Sequence, residues 1–153
     1  MSKKKVSIFD MTEFSFGRKF NLLGRLFHAQ LSDKLQHIGI KKHFSILYLI
    51  DKMGDHCSQK FIADTLHIDK TLMVGALDEL VEVGFIKRVQ NPTDRREYWI
   101  QLTEKGQQQI PRIKETVATM NDAATEGLSE LEKKRLHKYL DVMYKNIESM
   151  GHE

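Results

Sequence analysis

Asp94, Arg95 and Arg96 stand in a row directly after Asn91-Pro92-Thr93. Two adjacent guanidiniums on a turn offer rigid forks of N–H donors, a shape that fits phosphate oxygens. Other anion- and hydrogen-bonding groups precede them: Ser58-Gln59-Lys60, Lys70-Thr71 and Arg88. Residues for covalent or acid–base catalysis are scarce. Cys57 beside His56 is the nearest thing to a nucleophile with a base, and it has no motif around it. The seven histidines (His28, His37, His43, His56, His67, His137 and His152) are scattered, and Cys57 is the one cysteine. With no His-Glu-x-x-His and no paired cysteines, the expectation is no metal, no cofactor and no enzyme.

The elements that must position these groups are legible around them. Asp69 suits an N-cap, because its carboxylate can accept from the free N–H groups of a first helical turn. Met73, Ala76, Leu77, Leu80 and Val83 then recur at three- and four-residue spacing, one apolar helix face. Lys70, Thr71, Val74, Gly75 and Asp78 fall off that face and point outward. Gly84 is placed for a left-handed C-terminal cap. Phe85–Val89 reads as a strand, and Asn91-Pro92-Thr93-Asp94 as a turn. Glu97–Leu102 alternates as a second strand with Tyr98, Ile100 and Leu102 on one face, and Thr103 caps the next helix. A shorter helix, Gln59–Leu66, opens at Ser58 with Phe61, Ile62 and Leu66 expected inside. Two short helices joined through His67-Ile68 form a helix-turn-helix. An amphipathic helix beside a hairpin with an arginine tip fits duplex DNA: the helix in a major groove, the arginines on phosphates or in a narrow minor groove.

Particular strings carry a family resemblance. Ile68-Asp69-Lys70-Thr71, then Leu77-Asp78-Glu79-Leu80 with Gly84-Phe85-Ile86, then Asn91-Pro92-x-Asp94-Arg95-Arg96, then Leu102-Thr103-Glu104-Lys105-Gly106 resemble the winged helix-turn-helix of MarR-type transcriptional regulators. The resemblance implies a mainly α fold with a small two- or three-stranded β-wing. It also implies a winged lobe over 41–106 and dimerisation helices over 14–40 and 107–153, while 1–13 reads on its own as a flexible, solvated arm whose Lys3-Lys4-Lys5 could touch phosphate. Lys70–Val83 becomes the recognition helix. Asp94 and Arg96 pair to hold the wing, and Arg95 enters the minor groove. By contact chemistry, Ser58, Gln59 and Lys60 suit a phosphate, Lys70 a guanine edge or a phosphate, Thr71 and Val74 a base or a thymine methyl, Gly75 a close backbone approach to DNA or mere tolerance at an exposed site, and Arg88 a phosphate contact or a structural ion pair. The partners implied are double-stranded DNA with a palindromic operator, a second copy as a homodimer, and a small aromatic or anionic effector that loosens DNA binding. Its pocket would be lined by Phe27, His28, His43, Phe44 and Tyr48, and repression would be the mode of action. The chain departs from the family where Val74, Gly75 and Glu79 replace Thr, Arg and a basic residue. Direct base readout is therefore expected to be thin, leaning on Lys70, Thr71, methyl contacts and the wing. The peroxide-sensing relatives carry a reactive cysteine near the first helix, whereas Cys57 lies between the second and third.

Composition agrees with a single domain or two fused lobes. The 153 residues are 41% hydrophobic and 29% charged, with a net charge of +3 that permits nucleic acid without demanding it. One cysteine means no disulfide framework, and a reducing cytoplasm is expected. The longest apolar run, Phe44–Ile50, is too short to span a bilayer. Asp10 and Glu13 interrupt any apolar region behind Lys3-Lys4-Lys5, which excludes a signal peptide.

Further apolar stripes flank the central lobe. Phe16, Phe20, Leu23, Phe27, Leu31 and Leu35 mark a long helix over 14–38 that stops at Gly39, and Phe44, Leu47, Tyr48 and Ile50 mark the inner face of a helix over 42–53. After Gly106 the chain reads as helix with a kink at Pro111, a break near Gly127, and a capping box of Ser129 and Glu132 opening the last helix. There Leu131, Leu136, Leu140, Met143 and Ile147 form the stripe. This apolar surface exceeds what the small lobe can cover, which favours a dimer. The competing reading is a winged-helix protein-interaction module or anti-regulator that does not bind DNA. Asp78, Glu79 and Glu82 support it, while Arg95, Arg96 and the Ser58 helix start oppose it.

Overall fold

The computed structural model describes residues 15–39, 42–54 and 56–150. The expected arm over 1–13 lies outside the described residues. The elements run α1 (Phe16–Leu35), a 3₁₀ turn (Gln36–Ile38), α2 (Phe44–Met53), β1 (Cys57–Ser58), α3 (Gln59–Thr65), α4 (Lys70–Glu82), β2 (Ile86–Gln90), β3 (Tyr98–Leu102), α5 (Glu104–Ala124) and α6 (Glu130–Met150). This is a mainly helical fold with one small antiparallel sheet in the order β1-β3-β2. The chain falls into two compact units, Met1–Val117 and Ala118–Glu153, with the division inside α5.

The first unit holds the core. Leu31 and Leu35 from α1, Ile46, Leu47 and Ile50 from α2, Ile62 from α3, and Met73, Leu77 and Leu80 from α4 are buried with Phe85, Ile86, Ile100, Ile110 and Ile113. Most of the helical members fall on the faces that three- and four-residue spacing marks, and burying each large aliphatic side chain contributes about 1.5–3 kcal/mol. Tyr48 and Phe61 were expected inside but are 39% and 38% exposed, and Leu66 is only half-buried. Ile46 and Ala63 take the inner positions instead, so both helices are rotated from the sequence expectation. In α1 only Leu31 and Leu35 are buried, while Phe16, Phe20, Leu23 and Leu26 stand exposed.

The hairpin pairs Ile86 with Leu102 and Gln90 with Tyr98. On the other edge of β3, Cys57 pairs with Ile100 and Ser58 with Trp99, a short strand that no sequence pattern announced. Gly84 has φ 76°, the left-handed conformation that releases the chain from α4 into β2. Gly106 is required for a different reason. A Cβ built there would lie 2.1 Å from the Phe85 carbonyl oxygen, so α5 can pass the end of α4 only without a side chain. Thr103 and Lys105 secure the same junction: the hydroxyl donates to the Gly84 carbonyl at 2.6 Å and the ammonium to the Val83 carbonyl at 2.5 Å.

α5 continues through Pro111 as one 21-residue helix. In the second unit, Ser129 and Glu132 form the reciprocal cap, with the Ser129 N–H on Glu132 Oε2 at 2.8 Å and the Glu132 N–H on Ser129 Oγ at 3.3 Å. No residue of α6 is buried, so the apolar side chains of its stripe, among them Leu131, Leu136, Leu140 and Ile147, lie exposed.

Candidate nucleic-acid interface

The helix-turn-helix is built by its caps. Ser58 Oγ accepts from the Phe61 N–H at 3.2 Å and starts α3, with Gln59 half-buried and Lys60 exposed beside it. The turn passes through His67, whose φ of 50° places a non-glycine residue in the left-handed region. The Ile68 N–H donates back to Ala63 O at 3.0 Å, closing the turn. Asp69 then caps α4, its carboxylate accepting from the Thr71 N–H at 2.8 Å. The backbone N–H groups of Thr71 and then Leu72 hold the Asp69 carboxyl below its usual range. Lys70, Thr71, Val74, Gly75 and Asp78 all lie exposed, with Leu72 and Glu79 among them.

Two of the acidic residues on this helix are engaged from inside the protein. The Arg88 guanidinium of β2 meets Asp78 Oδ1 at 2.6 Å. His43 Nε2, at the start of α2, meets Glu79 Oε2 at 3.0 Å. Of the two roles left open for Arg88, the structure therefore places it in an ion pair.

The wing is held by its own side chains. Asn91 is buried, its amide nitrogen donating to Glu97 Oε2 at 2.8 Å and its oxygen accepting from the Thr93 N–H at 2.9 Å and hydroxyl at 2.8 Å. Asp94 accepts from the Arg96 N–H at 2.9 Å, Nε at 3.2 Å and Nη2 at 3.3 Å. The Arg96 side chain, followed by its backbone N–H, lowers the Asp94 carboxyl from its ordinary value. Arg95 is exposed at the tip, its carbonyl accepting from Gln90 Nε2 at 3.1 Å. Ser58, Gln59, Lys60, Arg88 and Arg96 line a single depression of about 320 Å³ together with Glu97, Tyr98 and Ile100. Sequence reasoning missed Glu97 and Tyr98 there. Lys70, Thr71, Val74, Gly75 and Arg95 lie outside it.

One apolar cavity takes in part of the set expected to line an effector pocket. It has a volume of about 270 Å³ and is lined by Phe44, Ser45, Tyr48, Leu49, Lys52, Leu66, Ile113 and Val117. Phe44 and Tyr48 belong to it; Phe27, His28 and His43 do not. The His28 ring packs on the Phe44 ring at 5.3 Å, and His43 is taken up by Glu79. Lys52 and Lys114, which the sequence did not single out, hold their ammonium groups 5.8 and 5.9 Å from the Tyr48 ring centre. Lys114 also pairs with Asp51 at 2.8 Å.

Cys57 is buried, with its Sγ 3.5 Å from the Gly54 carbonyl. Among the described residues no group of three His, Cys, Asp or Glu side chains could hold a metal ion.

Comparison with known proteins agrees with this architecture. Residues 41–98 match the MarR family. Over 101 residues the chain is 26% identical to the HTH-type transcriptional regulator BilQ of Clostridioides difficile, covering 66% of this chain and 67% of that protein. It superposes on a MarR transcriptional regulator from Methanosarcina mazei with TM-score 0.83 and 25% identity, covering 88% of this chain and 96% of the other. The transcriptional repressor CouR, bound to a 23-mer DNA duplex, gives TM-score 0.78 and 26% identity over 92% and 99% of the two chains.

Proposed function

The chain is a MarR-family DNA-binding transcriptional regulator, and from that premise we propose that it acts as a homodimeric repressor of a palindromic operator. The observation that carries this reading is the arrangement within the first unit. An exposed helix α4 with Lys70 and Thr71 at its start belongs to the same compact body as a stiffened hairpin that presents Arg95 at its tip. α4 enters the major groove and Arg95 follows the minor groove, while Ser58, Gln59 and Lys60 meet the phosphates between. Arg88 and His43 support the fit by covering the carboxylates of Asp78 and Glu79, which would otherwise face phosphate.

The dimer is supported by apolar side chains left exposed in each unit: Phe16, Leu23 and Leu26 on α1, and Leu131, Ile147 and Met150 on α6. Residues 14–40 and 107–153 are assigned to that interface and 41–106 to the DNA lobe. Twofold symmetry then spaces two α4 helices about 34 Å apart, one turn of DNA. The cavity at Phe44 and Tyr48 takes a small aromatic or anionic effector, which releases DNA only by binding the DNA-free form more tightly. The cytoplasm fits the reduced Cys57 thiol, and no described helix is long and apolar enough to cross a membrane.

Trp99, the one tryptophan, reports binding from β3, where its ring meets the His56 ring edge-on at 4.5 Å. Titration with a palindromic duplex from upstream of the protein's own gene is expected to change its fluorescence, with affinity falling steeply as salt rises. An affinity indifferent to salt overturns the proposal in favour of a protein-interaction module.

A further inference from the structure

We propose that His43 makes DNA binding depend on pH, by carrying or losing the positive charge that neutralises Glu79. This rests on the DNA-binding reading and names a condition that regulates it. Asp78 and Glu79 are neighbours on α4, and each is met by a basic side chain from a different element. Arg88 of β2 reaches Asp78 at 2.6 Å, and His43 at the start of α2 reaches Glu79 at 3.0 Å. A guanidinium stays charged across the physiological range, whereas imidazoles change charge between about pH 5 and pH 8. One carboxylate is therefore covered permanently and the other conditionally.

The hydrogen bond survives in both states. An ionised carboxylate only accepts, so His43 Nε2 carries a hydrogen toward Glu79 Oε2, and the proton that comes and goes is the one on Nδ1. The geometry stays while the net charge of the pair changes, from zero with an imidazolium to minus one with a neutral ring. The Glu79 side chain is 62% exposed against 21% for His43, so the carboxylate is the part that an approaching polyanion meets. Other charged groups stand close by. Glu82, one turn further along α4, adds negative charge to the same exposed helix, and Lys42 brings a second cation beside His43 in the chain. His28 of α1 packs its ring on Phe44 at 5.3 Å, so the imidazole engaged with α4 is that of His43. A duplex laid on α4 brings phosphate charge toward Glu79 and binds the imidazolium form more tightly. By reciprocity, binding draws a proton onto His43. Affinity is therefore highest below the imidazole range and falls as pH rises through it.

The test varies the proton and the two side chains that share it. Duplexes are enriched from a random pool by the full chain, and one is titrated by fluorescence anisotropy at about pH 6, 7 and 8 and constant ionic strength. The parent is expected to bind at least about five-fold more tightly at the acid end than at the alkaline end, the lower bound of an ordinary coupling between sites. His43→Arg supplies a charge that does not titrate and should hold the tight affinity across the range. Glu79→Gln removes the carboxylate and should do the same, whereas His43→Gln should bind weakly throughout. Calorimetry in buffers of different ionisation enthalpy should find proton uptake on binding by the parent and less by each variant, with melting temperatures showing that the fold is kept. A parent indifferent to pH overturns the proposal while leaving the DNA-binding reading intact, as does a His43→Gln variant that keeps the full pH dependence. A pool that yields no enriched duplex overturns both.

Discussion

The Arg88 guanidinium lies 2.6 Å from the Asp78 carboxylate and joins β2, the first strand of the wing, to α4. Ten residues of sequence separate the two, and the pair sets a guanidinium from the hairpin against a carboxylate on the helix surface. An exposed pair of this kind contributes about 0.2–1 kcal/mol to stability, so its larger effect falls on recognition.

Arg88→Ala should therefore weaken DNA binding more than it lowers stability, because it uncovers Asp78 toward phosphate. Asp78→Asn in the same background should recover much of the lost affinity. A double-mutant cycle by fluorescence anisotropy, with melting temperatures beside it, checks this; two independent losses would contradict the charge-covering role.

Arg95→Ala should lower affinity for every duplex by a similar factor and reduce the salt slope by about one, with the melting temperature unchanged. Parental affinity at low salt in this variant would show that the tip does not reach DNA. Thr71→Ala, by contrast, is expected to relax preference among sequences.

The two glycines of α4 and α5 should respond in opposite directions. Gly75→Ala adds a Cβ in open space and removes the helical cost of glycine, a gain of about 1 kcal/mol. Gly106→Ala drives a Cβ against the Phe85 carbonyl and should cost about 3 kcal/mol or more. Urea unfolding followed by circular dichroism distinguishes the two.

The acid side of the stability curve belongs in part to the caps. Asp69 and Asp94 both have folded-state carboxyls lowered from an ordinary value of 3.8. A lowered folded value means that the group contributes stability above 3.8 and that this contribution is lost as pH falls through the folded midpoint. Carboxyl titration by NMR should place both midpoints under 3.8, and Arg96→Ala should raise that of Asp94 while leaving Asp69 in place.

Local chemistry made most of the winged lobe readable in advance. Asp69, Ser58, Gly84 and the Ser129–Glu132 box act within four residues of themselves, so their spacing in the chain is their geometry. Asp94 and Arg96 are two apart, and their pairing followed from the family pattern. What escaped the sequence depends on distance along the chain. His43 and Glu79 are 36 residues apart, and β1 becomes a strand only because β3 offers it an edge. Tyr48 and Phe61 look like core residues by type, but the rotation of their helices is decided by which neighbours Ile46 and Ile62 find. His28 and His43 meet Phe44 and Glu79, partners 16 and 36 residues away, for the same reason.

Thr103 and Lys105 clasp the carbonyls of Gly84 and Val83, just past the end of α4, and both sit at the threshold of α5. Six and ten residues past Thr103's neighbour Gln107, on the same rod, Ile113 and Val117 form part of a cavity wall. A helix is stiff along its axis, so the cavity wall and the clasp belong to one continuous rod that ends against α4.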